Sequence, residues 1–152
     1  MNIKPIGIVK SPISEQKDQH WGEVKSEIHL DENLTPGLLG LDDFSHVIII
    51  FYMHKAKVNL ETDLVRQPQG RSDMPFVGMF AQRSKHRPNP IGITTVKIIS
   101  VQEGIITVKG LDAINETPVL DIKPYFPMFD QLDAETPQWV DELMKGYFFA
   151  EK

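Results

Sequence analysis

The residues best equipped for chemistry in this chain fall in two short stretches, QRSKHRPNP at 82–90 and VLDIKPY at 119–125. In the first, Arg83 and Arg87 each carry a planar guanidinium that can fork onto a carboxylate or a phosphate. Lys85 and His86 add two further groups, and Pro88 and Pro90 brace the backbone, so the donors are held at little ordering cost. Asn89, between the prolines, offers both a donor and an acceptor, suited to a base edge or a ribose. Taken alone, such a loop reads as a rigid surface turn with solvated charge. In the second stretch, Asp121 and Lys123 are two residues apart and share one face of a regular strand. Tyr125 follows on that face if Pro124 does not break the alternation. A carboxylate, an ammonium and a phenol at one strand end form an acid/base set, and a strand-end salt bridge accounts for the same residues equally well.

Other chemistries find no support. There is no GxGxxG after a strand, no GxxxxGK[ST], no GxSxG and no HExxH among His20, His29, His46, His54 and His86. His46 and His54 bracket an apolar run and are better read as hydrogen-bonded strand-end histidines than as a metal pair, so no metal is expected. The chain has no cysteine, which excludes disulfides and thiolate ligands.

Charge is unevenly placed. The formal net charge is -5, yet residues 55–87 hold 7 Lys/Arg against 3 Asp/Glu, an electropositive middle that suits an anionic partner. Within it, Arg71 joins Lys85 and His86 as candidate contacts to such a partner, for example a nucleic acid. At 152 residues, with 41% hydrophobic and 24% charged content, the expectation is one soluble domain over residues 1–152. The N-terminal residues lack an apolar run of signal-peptide length, and the longest apolar run, VIIIFYM, is too short to span a bilayer. A cytoplasmic protein is expected.

The elements that must position these groups are mostly short strands punctuated by Gly and Pro. Strands are expected at 6–9, 24–30, 46–54, 77–81, 93–102, 105–111 and 118–125, the third apolar enough to be buried on both faces. Glu103-Gly104 reads as a two-residue hairpin turn. Helix is expected only as a turn or two at 35–41 and at 136–146, with Thr136 as cap, Pro137 in the first helical position and Gly146 at the end. Residues 55–75 show no clear period and read as a functional or mobile loop. The fold class is therefore mainly β, a small closed, antiparallel-rich barrel with a short C-terminal helix. Tyr147, Phe148 and Phe149 either bury a symmetric dimer interface or tuck onto their own barrel.

Set side by side, GMFAQRS (78–84), RPNPIG (87–92), GLD (110–112) and TPVLDIKPY (117–125) closely resemble the motifs of the TrmO family of tRNA (adenine-N6)-methyltransferases, also called YaeB-like or TsaA-like. IGIVKSP (6–12) and GLDDFSHVIIIFYMH (40–54) fit the same pattern, so the resemblance covers roughly residues 3–130. It is to a short form without the further C-terminal domain of many bacterial members. The resemblance implies a non-Rossmann barrel that binds S-adenosylmethionine, acts as a homodimer and methylates N6 of threonylcarbamoyladenosine beside the anticodon of certain threonine tRNAs. It further implies that Phe80, Ala81, Gln82, Arg83, Arg87, Asn89, Ile91 and Gly92 line the cofactor pocket and that Leu111 and Asp112 close it. Arg83, Asp121, Lys123 and Tyr125 would be the essential side chains.

Physical chemistry adds roles to that pattern. Transfer of a methyl group from a sulfonium is an in-line displacement in which alignment supplies much of the rate. Phe80 or Tyr125 can offer an aromatic face to the cation. Arg83 or Arg87 can take the methionine carboxylate or an RNA phosphate. Asp121 is the candidate base for a poorly nucleophilic N6, and Lys123 can neutralise a threonyl carboxylate. Two other readings stay open: a methyltransferase with a small-molecule or different RNA acceptor, and a non-catalytic RNA-binding barrel.

Overall fold

The computed structural model describes residues 1–150. Among these residues eight strands form in chain order: β1 Gly7–Lys10, β2 Lys25–Leu30, β3 His46–Tyr52, β4 Val65–Arg66, β5 Val77–Gly78, β6 Ile91–Gln102, β7 Ile105–Lys109 and β8 Pro118–Pro124. Six of them close an antiparallel barrel in the order β1-β2-β7-β6-β3-β8, while β4 and β5 pair separately. Among the described residues three short α-helices complete the fold: α1 Leu60–Asp63, α2 Pro127–Asp130 and α3 Gln138–Met144.

Alternation along the strands fills the barrel. Val9, Ile28, Val47, Ile49, Phe51, Val96, Ile106, Val108 and Val119 point inward and join Leu111 and Ala113 in one buried cluster. Each fully buried aliphatic side chain contributes about 1.5–3 kcal/mol, so the barrel interior holds the fold. The Phe51 ring lies against Gly92, its cross-strand partner, where an added Cβ would come within 2.4 Å of the ring. Glu103 and Gly104 both have positive φ, 50° and 79°, the signature of the expected tight β6–β7 hairpin.

Four expectations are corrected. β3 is apolar on both faces, but its outer face is sealed only in part: Ile48 is buried, whereas Ile50 is half-buried and Tyr52 is 41% exposed. The expected strand at 77–81 stops at Gly78 and continues as a 3-10 turn over Met79–Ala81, because Met79 turns into the interior and its amide bonds Leu64 O at 2.8 Å. Residues 55–75, read as a loop, supply α1, β4 and a 3-10 turn at Pro68–Gly70. Thr136 does not cap α3: Pro137 occupies the cap position, and Gly146, at φ 70°, ends the helix as expected.

Candidate functional site

The site begins at an uneven edge of β6. β7 pairs with β6 only from Lys97 onward, so among the described residues β3 alone pairs with Ile91–Val96. Arg83 settles in this stretch, with Nη2 donating to Ile93 O at 2.7 Å. The next residue, Thr94, is 8% exposed and donates from Oγ1 to Asp112 Oδ1. Asp112 is delivered by the segment after β7: Gly110 bends with φ 93° and Leu111 plugs into the core at 0% exposure. The other Asp112 oxygen accepts from Tyr147 Oη at 2.5 Å. Burial, then the Asp112 charge and hydrogen bond, push the Tyr147 phenol far above its ordinary range, with nearby Arg83 pulling the other way. Tyr147 is therefore a neutral donor and Asp112 an acceptor.

The loop from Met79 to Pro90 is braced largely by its own polar groups. Arg87 Nη1 donates to Gln82 O at 2.9 Å and Ser84 O at 3.0 Å, so this guanidinium stiffens the turn from within. Gln82 Nε2 ties it to Arg66 O and Val77 O, each at 3.2 Å. Buried Pro90 receives Met53 N at 2.8 Å, and Asn89 O receives Ile91 N at 2.7 Å. Phe80, next to buried Met79, stands 79% exposed beside exposed Ala81. Lys85 bonds Gln16, and His86 Nδ1 lies 3.0 Å from Lys57 O and 3.8 Å from Asp63. Asp63, 7% exposed, is held below the usual carboxylate range first by the Asn59 amide and then by Arg66 and His86, against the opposing effect of burial. Arg71 forks onto Asp73 at 2.6 and 3.0 Å and reaches Glu142 O in α3.

Asp121, Lys123 and Tyr125 form a separate stripe. Asp121 pairs with Ile50 and Lys123 with Ile48, both outward residues of β3, and Tyr125 N bonds His46 O at 3.2 Å. The expected shared face is present, on the outside of the barrel. Lys123 Nζ lies 2.8 Å from Asp121 Oδ2, which raises the Lys123 pKa through that hydrogen bond and the carboxylate charge. Tyr125 meets His46 edge-on at 6.3 Å, and the two line an open cleft of ≈ 660 Å³ with Phe44, Phe126 and Met128. His46 is bonded to Ser45 Oγ at 2.8 Å, whereas His54 lies beyond the other end of β3, so the two do not meet.

Within this chain the two groups stay apart. Ile50 separates Asp121 from Ile93, the Arg83 anchor, by strand spacings of ~4.8 Å each. Thr94 and Tyr147 were not singled out from sequence as site residues. Thr94 looks like any strand threonine, and Tyr147 stands out only as the hydroxyl in an aromatic triplet. The backbone of Tyr147–Phe149 pairs with its own chain, Trp21 N bonding Tyr147 O and Gly22 N bonding Phe148 O; the Tyr147 hydroxyl turns onto Asp112, while Phe148 and Phe149 stay 40% and 61% exposed.

The architecture is thus a closed, mainly β barrel with an arginine-bearing, proline-braced loop set against an acceptor carboxylate. A model of the tRNA-methyltransferase O N-terminal domain matches residues 10–131. The chain belongs to the tRNA-methyltransferase O family. It is 37% identical over 145 residues to an S-adenosyl-L-methionine-binding protein of Archaeoglobus fulgidus, covering 90% of this chain and 100% of that one. It is 46% identical over 98 residues to the human tRNA (adenine(37)-N6)-methyltransferase, covering 64% of this chain and 22% of that enzyme. The crystal structure of TrmO from Pseudomonas aeruginosa superposes with a TM-score of 0.70 at 29% identity, over 89% of this chain and 60% of that one.

Proposed function

We propose that this protein is an S-adenosylmethionine-dependent tRNA methyltransferase that methylates N6 of an adenine, specifically threonylcarbamoyladenosine next to the anticodon of threonine tRNAs. The observation that carries the proposal is the anchoring of Arg83 and Asp112 on successive residues of β6, Ile93 and Thr94, in a chain of this family. The donor set fits the cofactor: a cation for a carboxylate, an acceptor for amino or hydroxyl hydrogens, and an exposed aromatic face at Phe80 for a sulfonium. When bound, S-adenosylmethionine supplies an activated methyl group. Leu111 fixes the position of Asp112, and the internal bonds of Arg87 and Gln82 fix the loop carrying Arg83 and Phe80. Asp121 is the group that takes the N6 proton as the methyl is accepted, and Lys123 beside it neutralises the threonyl carboxylate.

A second copy of the chain completes this arrangement. The outer face beside Asp121 is apolar and uncovered, with Tyr52, Ile91 and Ile93 at 41%, 40% and 48% exposure, the kind of surface a symmetric partner buries. Lys85, His86 and Arg71, from the electropositive middle of the sequence, are the proposed contacts to tRNA. A thermal-shift titration with S-adenosylmethionine tests the cofactor, since binding to the folded state raises the unfolding midpoint. Mass spectrometry of tRNA nucleosides from cells lacking the protein tests the acceptor. Loss of the N6-methyl form of threonylcarbamoyladenosine is expected, and its persistence would assign a different acceptor.

A further inference from the structure

We propose that Tyr147 is a positioning residue of the methyl-donor site, fixing Asp112 as an acceptor for the donor's amino or hydroxyl hydrogens; the proposal rests on placing Asp112 in that site, as above. Tyr147 lies beyond residues 10–131, the part matched by the family model. The segment after α3 therefore brings a group into the site from outside the matched domain. It does so on a held backbone. His20 N, Trp21 N and Gly22 N donate to Gly146 O, Tyr147 O and Phe148 O at 2.9, 2.9 and 2.6 Å. The loop that receives it is itself pinned, because Trp21 is 2% exposed and its Nε1 bonds Lys17 O at 3.2 Å. Gly22 leaves room for the Phe149 ring, which a Cβ there would approach to 2.5 Å.

The consequence falls on the Asp112 carboxylate. With Thr94 on Oδ1 and Tyr147 on Oδ2, both oxygens are fixed and the carboxylate plane is set. Losing the phenol leaves one anchor, and the group is free to turn about it. A hydrogen bond to a charged acceptor is strong enough that this loosening should weaken ligand binding about tenfold. Burial and the Asp112 charge oppose ionisation of the Tyr147 phenol, which favours its role as donor.

The test compares wild type, Tyr147→Phe, Asp112→Asn and the double variant by calorimetric titration with S-adenosylmethionine and by steady-state tRNA methylation. Tyr147→Phe keeps the ring and the backbone pairing. It is expected to raise Kd and KM for S-adenosylmethionine about tenfold, with kcat at saturating cofactor changed less than about twofold. The unfolding midpoint of the ligand-free protein should fall by no more than a few degrees. In the double variant the two losses should not add, because both act through one carboxylate. Unchanged cofactor affinity in Tyr147→Phe, with weakened affinity in Asp112→Asn, would overturn the positioning role and leave the donor site standing. Additive losses would also overturn it. Wild type that binds cofactor while Asp112→Asn binds equally well would remove Asp112 from the site and the proposal with it. Wild type that binds none would overturn the methyl-donor function itself.

Discussion

Arg83 and Asp112 are anchored on neighbouring residues of one strand, Arg83 on the carbonyl of Ile93 and Asp112 on the hydroxyl of Thr94. One piece of β6 thereby sets the spacing between a cation and an anion that come from separate segments. Lysine at position 83 would have to choose between the Ile93 carbonyl and a ligand, whereas the guanidinium serves both. Arg83→Lys is therefore expected to weaken S-adenosylmethionine binding about tenfold in calorimetric titration. Undiminished cofactor binding in Arg83→Gln, which removes the charge, combined with a shallower salt dependence of tRNA affinity, would instead place Arg83 against a phosphate.

Asp121→Asn keeps the shape of the side chain and removes its basicity. A general base contributes about 10²–10⁴-fold, so kcat should fall at least a hundredfold with cofactor affinity unchanged. Near-full turnover in single-turnover methylation would exclude Asp121 as the proton acceptor.

The uncovered outer face makes a prediction about assembly. Wild type is expected to sediment as a dimer, and Ile93→Lys, at a 48% exposed position, should sediment as a monomer with little change in secondary structure. A wild-type monomer at micromolar concentration would show that the face pairs with no second copy.

Gly92→Ala tests the packing beneath the loop. The Phe51 ring occupies the space a Cβ would need, and over-packing of this kind costs about 1–3 kcal/mol. Thermal unfolding should show the loss, and adding Phe51→Leu should recover part of it. No recovery would mean that Gly92 is required for its backbone, not for the ring.

Asp63 gives the basic loop an acid-sensitive tie. Its folded pKa lies below the unfolded value, first because the Asn59 amide bonds the carboxylate. The stability it contributes is thus fully present above about pH 4 and lost as pH falls through the folded value. Asp63→Asn should lower the unfolding midpoint at neutral pH and leave it less dependent on pH at the acid end. A variant with the same acid limb as wild type would show that Asp63 carries none of it.

Much of the fold was legible because local chemistry and the global pattern agree. Short β-rich runs bounded by Gly and Pro placed the strands, and the Glu103-Gly104 turn joined β6 to β7 as a hairpin. Strand 77–81 was misjudged because apolar residues in a short run fit a turn as well as a strand, and only the interior decides that Met79 is buried while Phe80 is not. The face shared by Asp121 and Lys123 followed from a period of two, but that it is the outer face depends on pairing with Ile50 and Ile48.

The motifs and their spacing determined by themselves that the chain is a mainly β protein resembling the tRNA-methyltransferase O family, and they marked Arg83, Asp112 and Asp121 as the residues to watch. Only the tertiary structure decided that Arg83 and Asp112 are anchored on neighbouring residues of β6, that Arg87, Lys85, His86 and Arg71 are engaged within the chain, and that Tyr147 reaches Asp112. The physical reason is range. Strand alternation, turns and caps act between near neighbours and leave a periodic trace. A hydrogen bond between distant residues such as Tyr147 and Asp112 exists only once barrel closure and the pairing of residues 20–22 with 146–148 have brought the segments together.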